Sequence, residues 1–114
     1  MSTDMEYKVF YTCYGTNDTV ESSKPYSTDR DNMVAIAHQV LRADGDFFGM
    51  VDENGVILQF MRQEDDWIWM EIPAPSEGGS YGRRILVSDL ERVLLSVVPP
   101  LNPVQMNGLE FERW

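Results

Sequence analysis

Apolar and polar positions along the chain fall into two periods, and the switches between them mark out the elements. Residues 7–14, Tyr-Lys-Val-Phe-Tyr-Thr-Cys-Tyr, combine aromatic and β-branched types and predict a first strand. Residues 15–30 follow as sixteen mostly polar positions, a length of structureless connection that is uncommon in a compact domain and usually functional or mobile. Met33, Val34, Ile36, Ala37, Val40 and Leu41 then recur at helical spacing. Thr28, three residues before Asp31, offers a capping-box variant to start this helix, and Asp44-Gly45-Asp46 stops it.

Period two returns in the middle of the chain. Phe47 to Asp52 and Val56 to Arg62 flank Glu53-Asn54-Gly55, and Asn-Gly is the strongest short hairpin signal because a type I′ turn needs positive φ at both central residues. Trp67 to Ile72 continues as a third strand after the acidic loop Gln63-Glu64-Asp65-Asp66, completing a meander. Residues 73–82 form a second long loop, and Arg83 to Val87 a short strand. Ser88 and Glu91 make a capping box for a second helix whose stripe is Leu90, Val93, Leu94 and Val97. Pro99-Pro100 ends it, and Leu109 to Trp114 adds a final strand. The expected fold is α+β in one domain, 1–114: an antiparallel meander sheet of about four to six strands with two helices packed on one face.

Register converts the pattern into surfaces. With Asn54-Gly55 as a two-residue loop, Val51 pairs with Leu58 and Gly49 with Phe60; with 63–66 as the next loop, Arg62 pairs with Trp67, Phe60 with Trp69 and Leu58 with Glu71. One face then carries Phe48, Met50, Ile57, Met61, Ile68, Met70 and Ile72, with Asp52 and Gln59 at its margins. The other carries Phe47, Val51, Leu58, Phe60, Trp67 and Trp69, mixed with Arg62 and Glu71. The aliphatic, Met-rich face suits a core under helices. The aromatic face holds charges that a dry core tolerates poorly unless paired, and Trp, Tyr and Arg dominate interface hot spots. Phe60, Arg62, Trp67 and Trp69, rimmed by Glu64, Asp65, Asp66 and Glu71, are therefore the expected partner-binding surface, with Glu77 and Tyr81 of the following loop as a second contact. The competing expectation is that a helix covers this face too and the tryptophans are core.

Composition narrows the function classes. Nine Lys and Arg against nineteen Asp and Glu leave a net charge of −10, which repels phosphate and argues against direct nucleic-acid binding. A hydrophobic fraction of 43% and a charged fraction of 25% suit a globular domain. One Cys excludes an internal disulfide framework and a multi-Cys metal site. The start carries neither a basic nor an apolar leader segment, and apolar runs are far shorter than the roughly 20 residues of a spanning helix. A cytoplasmic protein without membrane contact is expected.

Individual chemical signals resolve mostly into structure. Gly78-Gly79-Ser80-Tyr81-Gly82 matches G-x-S-x-G, but a nucleophile elbow requires a strand turning into a helix, and here a loop precedes it and a strand follows. The single histidine, His38, borders the apolar stripe of the first helix with no nucleophile nearby, and Cys13 is read as a small buried strand residue. Asp44, Asp46, Asp52 and Glu53 do not fit a calcium-loop spacing and are read as solvated turn carboxylates. Gly78-Gly79 lacks the Lys-Ser/Thr of a phosphate loop. No catalytic, cofactor or metal residue is assigned, and no cofactor is expected.

The strand pair Val56–Arg62 and Trp67–Ile72, the run Arg83–Val98 leading into a helix, and the closing Leu109-Glu110-Phe111-Glu112-Arg113-Trp114 together resemble the small acidic immunity proteins of bacterial toxin–immunity pairs. Some of those families end similarly, with a helix, a proline-containing connection and a Leu-x-aromatic strand. The resemblance implies a cytosolic, non-enzymatic inhibitor that binds a cognate toxin domain, and a basic nuclease cleft would match an acidic inhibitor electrostatically. Three alternatives stand beside it: a phage-encoded inhibitor of the anti-CRISPR type, a small enzyme or ligand-binding domain using the aromatic face as a pocket, and a subunit that buries that face against its own copy.

Overall fold

A computed structural model describes residues 6–97, Leu101 and 108–114. Its elements in chain order are β1 (Tyr7–Cys13), β2 (Asp18–Val20), β3 (Tyr26–Thr28), α1 (Arg30–Val40), β4 (Phe47–Val51), β5 (Ile57–Arg62), β6 (Trp67–Ala74), β7 (Gly79–Leu86), α2 (Leu90–Leu95) and β8 (Glu110–Arg113). The strands form one antiparallel sheet in the order β2, β1, β4, β5, β6, β7, β8, and β3 shares the β2 edge of β1. The expected α+β class and the antiparallel meander are present, with eight strands rather than four to six.

The additional strands come from segments read as loops. Residues 15–30 double back along β1: Tyr11–Cys13 pair with Val20–Asp18, and Tyr7–Val9 with Thr28–Tyr26. A turn containing Asn17 at φ 58 closes the first of these hairpins, a conformation that Asn tolerates better than most residues. The expected loop at 73–82 is reduced to a 3-10 turn, Pro75–Glu77, ending at Gly78 with φ 73. β6 and β7 therefore pair over eight residues each, from Trp67 opposite Leu86 to Ala74 opposite Gly79.

Both helices pack on one side. Met33, Val34, Ala37 and Val40 of α1 and Leu90, Val93 and Leu94 of α2 join Tyr7, Val9, Phe48, Met50, Leu58, Phe60, Ile68, Met70, Ile72 and Ile85 in a single core. The cap of α1 is Asp29, whose carboxylate accepts the Asn32 amide at 2.8 Å, rather than Thr28, which ends β3. α2 is entered through a 3-10 turn, Val87–Asp89, in which Asp89 accepts the Leu86 amide at 3.3 Å and pairs with Arg92 at 3.2 Å. Ser88 is exposed, and the N-cap position of α2 falls to Asp89, whose side chain makes no cap hydrogen bond to that helix, so the expected Ser88–Glu91 capping box is not formed. Pro99-Pro100 and the first five residues lie outside the described residues.

Two carboxylates expected in solvent are instead buried fasteners. Asp46 accepts the amides of Tyr14 (2.9 Å), Arg42 (3.2 Å) and Ala43 (2.8 Å), stopping α1 and tying it to the end of β1. Asp52 accepts those of Asn54 and Val56 (both 2.9 Å) and of Leu101 (2.8 Å), anchoring the chain after α2 to the β4–β5 hairpin. A buried charge is tolerated when its lone pairs are filled in this way. Among the described residues no helix is long and apolar enough to cross a membrane.

Candidate functional site

The side of the sheet with no described helix over it is set by two hairpins. The first is a three-residue loop: the Asp52 amide donates to the Val56 carbonyl (3.0 Å), the Gly55 amide to the Asp52 carbonyl (3.1 Å), and only Gly55 has positive φ, 80. Val51 accordingly faces Ile57, and Phe48 faces Phe60. The second hairpin carries the turn expected of the first: Asp65 and Asp66 have φ 59 and 64, and the Trp67 amide donates to the Glu64 carbonyl at 3.3 Å. Met61 therefore faces Trp69, and Gln59 faces Glu71.

Each hairpin differs from the expected register by one residue, and a one-residue slip turns a strand over. The two slips cancel between β4 and β6, so only β5 is inverted. Phe60 is fully buried in the helix-side core and does not belong to a binding surface. Leu58 is buried with it. Arg62 is also on the helix side: its guanidinium donates to the Gln63 carbonyl (2.7 Å) and pairs with Asp66 (3.0 Å). Ile57, Gln59 and Met61 take their place on the outer face beside Phe47 and Val51. Trp67, Trp69 and Glu71 stand there as expected, half-buried.

No described helix lies over this face, yet parts of it are well packed. Phe10 lies across Gly49, and its ring meets Phe47 edge-on with centroids 6.4 Å apart. Trp69 lies over Gly82 in the same manner, so a methyl group added there would sit 2.5 Å from its indole Cζ2. These two glycines leave room for rings to lie along the sheet instead of standing off it. Arg84 rests over the Trp67 ring at 5.4 Å from the centroid, a cation–π contact. Met61 and Leu86 remain 43% and 39% exposed, which leaves apolar surface beside the tryptophans open to contact.

At the centre is a pocket of about 230 Å³ lined by Phe47, Gln59, Met61, Trp69 and Glu71, with Phe60 beneath. Gln59 Nε2 donates to Glu71 Oε1 at 2.8 Å, and Trp69 Nε1 donates to Glu71 Oε2 at 3.1 Å. Both carboxylate oxygens are thus oriented by neutral donors. Glu64, Asp65 and Asp66 are exposed at the end of this face nearest Trp67.

Glu77 and Tyr81 form a separate feature. The Tyr81 hydroxyl donates to Glu77 Oε1 at 2.7 Å, and this bond holds the phenol's pKa above its ordinary value. The ring packs on Phe111, centroids 5.1 Å apart, in a register that puts it on the side opposite the tryptophans. Ser80 is buried within β7, opposite Pro73 and Glu112, so the G-x-S-x-G match is a strand and not an elbow. Cys13 is a buried free thiol, His38 is exposed on α1, and no group of His, Cys, Asp or Glu among the described residues is arranged to hold a metal.

Gln59, Met61, Arg84 and Leu86 were not among the expected site residues. Asp52 was the available signal for the first two: an Asx acceptor two residues before Asn54 favours a longer loop and with it the shifted register. No family model matches the chain, and no curated protein or solved structure shows significant similarity to it.

Proposed function

We propose that the chain is an immunity-type inhibitor, a cytoplasmic binding protein that neutralises a basic toxin domain, such as a nuclease, by docking its uncovered sheet face. The observation that carries this reading is that face itself. Trp67 and Trp69, with Met61 and Leu86 partly exposed, stand on a rigid sheet with no described element above them, and the acidic turn Glu64–Asp66 flanks them. Half-buried tryptophans held in place, Trp69 by its hydrogen bond to Glu71 and Trp67 by the Arg84 guanidinium over its ring, lose little side-chain freedom on binding, which is what a hot spot requires. A net charge of −10 adds long-range attraction toward a basic partner and repulsion from phosphate, so a nuclease domain fits and its nucleic acid does not.

The test is affinity capture at low ionic strength from the lysate of the native host, run in parallel with the wild type and with a Trp69→Ala/Glu71→Lys double variant, followed by coexpression of the captured protein. The expected result is a basic protein that is toxic alone, harmless beside the wild-type chain, and poorly retained by the folded double variant. Equal retention by both, or a captured protein whose toxicity the chain does not relieve, would refute the assignment.

A further inference from the structure

Glu71 is a half-buried carboxylate without a cationic partner among the described residues. The described ion pairs are Arg62–Asp66 and Arg92–Asp89, and the nearest guanidinium by register, that of Arg84 opposite Trp69, is engaged over Trp67. The residue directly across from Glu71 on β7 is Gly82, which contributes no charge. Gln59 and Trp69 supply one neutral hydrogen bond to each oxygen, fixing the plane of the carboxylate without cancelling its charge. Each oxygen keeps a second lone pair, so the pair of them can accept a bidentate donor.

Around the carboxylate stand Phe47, Met61 and Trp69, which with Gln59 and Glu71 line a half-open pocket of about 230 Å³. Drug-sized ligands occupy pockets of roughly 300–1,000 Å³, so this volume suits one long side chain better than a drug-sized molecule. We propose that the pocket receives the guanidinium of an arginine side chain presented by the protein partner. A guanidinium is planar, donates in a fork that matches a carboxylate, and packs against aromatic rings, whereas a tetrahedral ammonium is a compact, strongly hydrated point charge with neither the plane nor the fork. The inference rests on the docking role of the sheet face and adds to it the chemistry of the central contact: Glu71 as the acceptor, Trp69, Phe47 and Met61 as the apolar walls.

The probe is N-acetyl-arginine amide, titrated into the ¹⁵N-labelled full chain while the indole N–H resonances of its three tryptophans are followed at constant ionic strength. N-acetyl-lysine amide and the neutral isostere N-acetyl-citrulline amide are run alongside. The expected result is a saturable shift concentrated on Trp69, with a Kd on the order of 1–10 mM, as befits one isolated side chain. Citrulline should bind about tenfold or more weakly, lysine between the two, and Glu71→Gln should weaken arginine by a similar factor. Absence of a saturable Trp69 shift, an equal response to citrulline, or an unchanged response in Glu71→Gln would overturn the proposal. The citrulline comparison uses the wild-type chain, so it stands whatever the variant's stability. Met61→Arg separates this from the docking role: if it abolishes partner retention while the arginine titration fails, the face binds and the pocket does not take arginine. If Met61→Arg leaves retention intact, the docking role itself is wrong.

Discussion

Phe60 and Met61 are neighbours in sequence on opposite faces of β5, and truncating each in turn tests the registry on which the site depends. Phe60 is 0% exposed and sits among Phe48, Leu58 and Met70 in the helix-side core. Its side chain carries about 2–3 kcal/mol of transfer free energy. A cavity of roughly 100 Å³ at ~24 cal/mol per Å³ adds about 2 kcal/mol when the core relaxes little, so Phe60→Ala should cost about 4 kcal/mol. Met61, 43% exposed, keeps much of its surface in water in the folded state, and Met61→Ala should cost about 1 kcal/mol or less. Urea unfolding reads the difference directly. With m of about 1–3 kcal/mol/M, the Phe60 variant's midpoint should fall by more than roughly 1 M and the Met61 variant's by a fraction of that, at unchanged m. Equal losses, or a larger loss for Met61, would mean that β5 is turned over, that Phe60 faces outward, and that the pocket at Glu71 does not exist.

The two buried carboxylates predict a graded response. Asp46→Ala strands three backbone amides and should cost about 3–5 kcal/mol by urea unfolding, while Asp46→Asn, which keeps one acceptor oxygen for Arg42 and Ala43, should lose about half as much. At the β5–β6 turn, Asp65 holds φ 59, so Asp65→Gly should raise Tm by roughly 2–4 °C over Asp65→Ala although both remove the same charge; an equal Tm would show that the turn is not strained. The hydrogen bond from Tyr81 to Glu77 raises the phenol's pKa, so the proton is held more tightly folded than unfolded. Its stabilisation is complete below the unfolded phenol pKa and is lost as pH rises through the folded one; ultraviolet titration should show Tyr81 ionising later than a free tyrosine and earlier again in Glu77→Gln.

What the order of residues settled unaided was the kind of element and its hydrophobic side. The 3.6-residue stripe Met33, Val34, Ala37, Val40 and the alternation in Phe47–Val51 and Trp67–Ile72 each persist over a full element, and burial follows them. Trp67, Trp69 and Glu71 share the face expected of them with Phe47 and Val51 for that reason, while Leu58, Phe60 and Arg62 do not, and both described helices pack on the other side. Pairing was different, because register hangs on one or two turn residues whose backbone angles depend on side chains elsewhere. Asn54-Gly55 has the composition of a two-residue turn, but Asp52 captures the Asn54 and Val56 amides and makes a three-residue loop, leaving positive φ to Gly55 alone. Asp65-Asp66, with no glycine, takes the positive-φ turn instead. Asp52 is the one local sign of the first outcome, and the composition of Asp65-Asp66 carries no such sign of the second. The second and third strands, three residues each, carry too few apolar positions to be recognised and form because β1 offers them an unpaired edge. The bond from Asp46 to Tyr14 spans 32 positions, and the pocket at Glu71 joins strands β4, β5 and β6. Such features exist only once the sheet has closed up, since backbone donors and side chains distant along the chain meet through long-range pairing and by no shorter route.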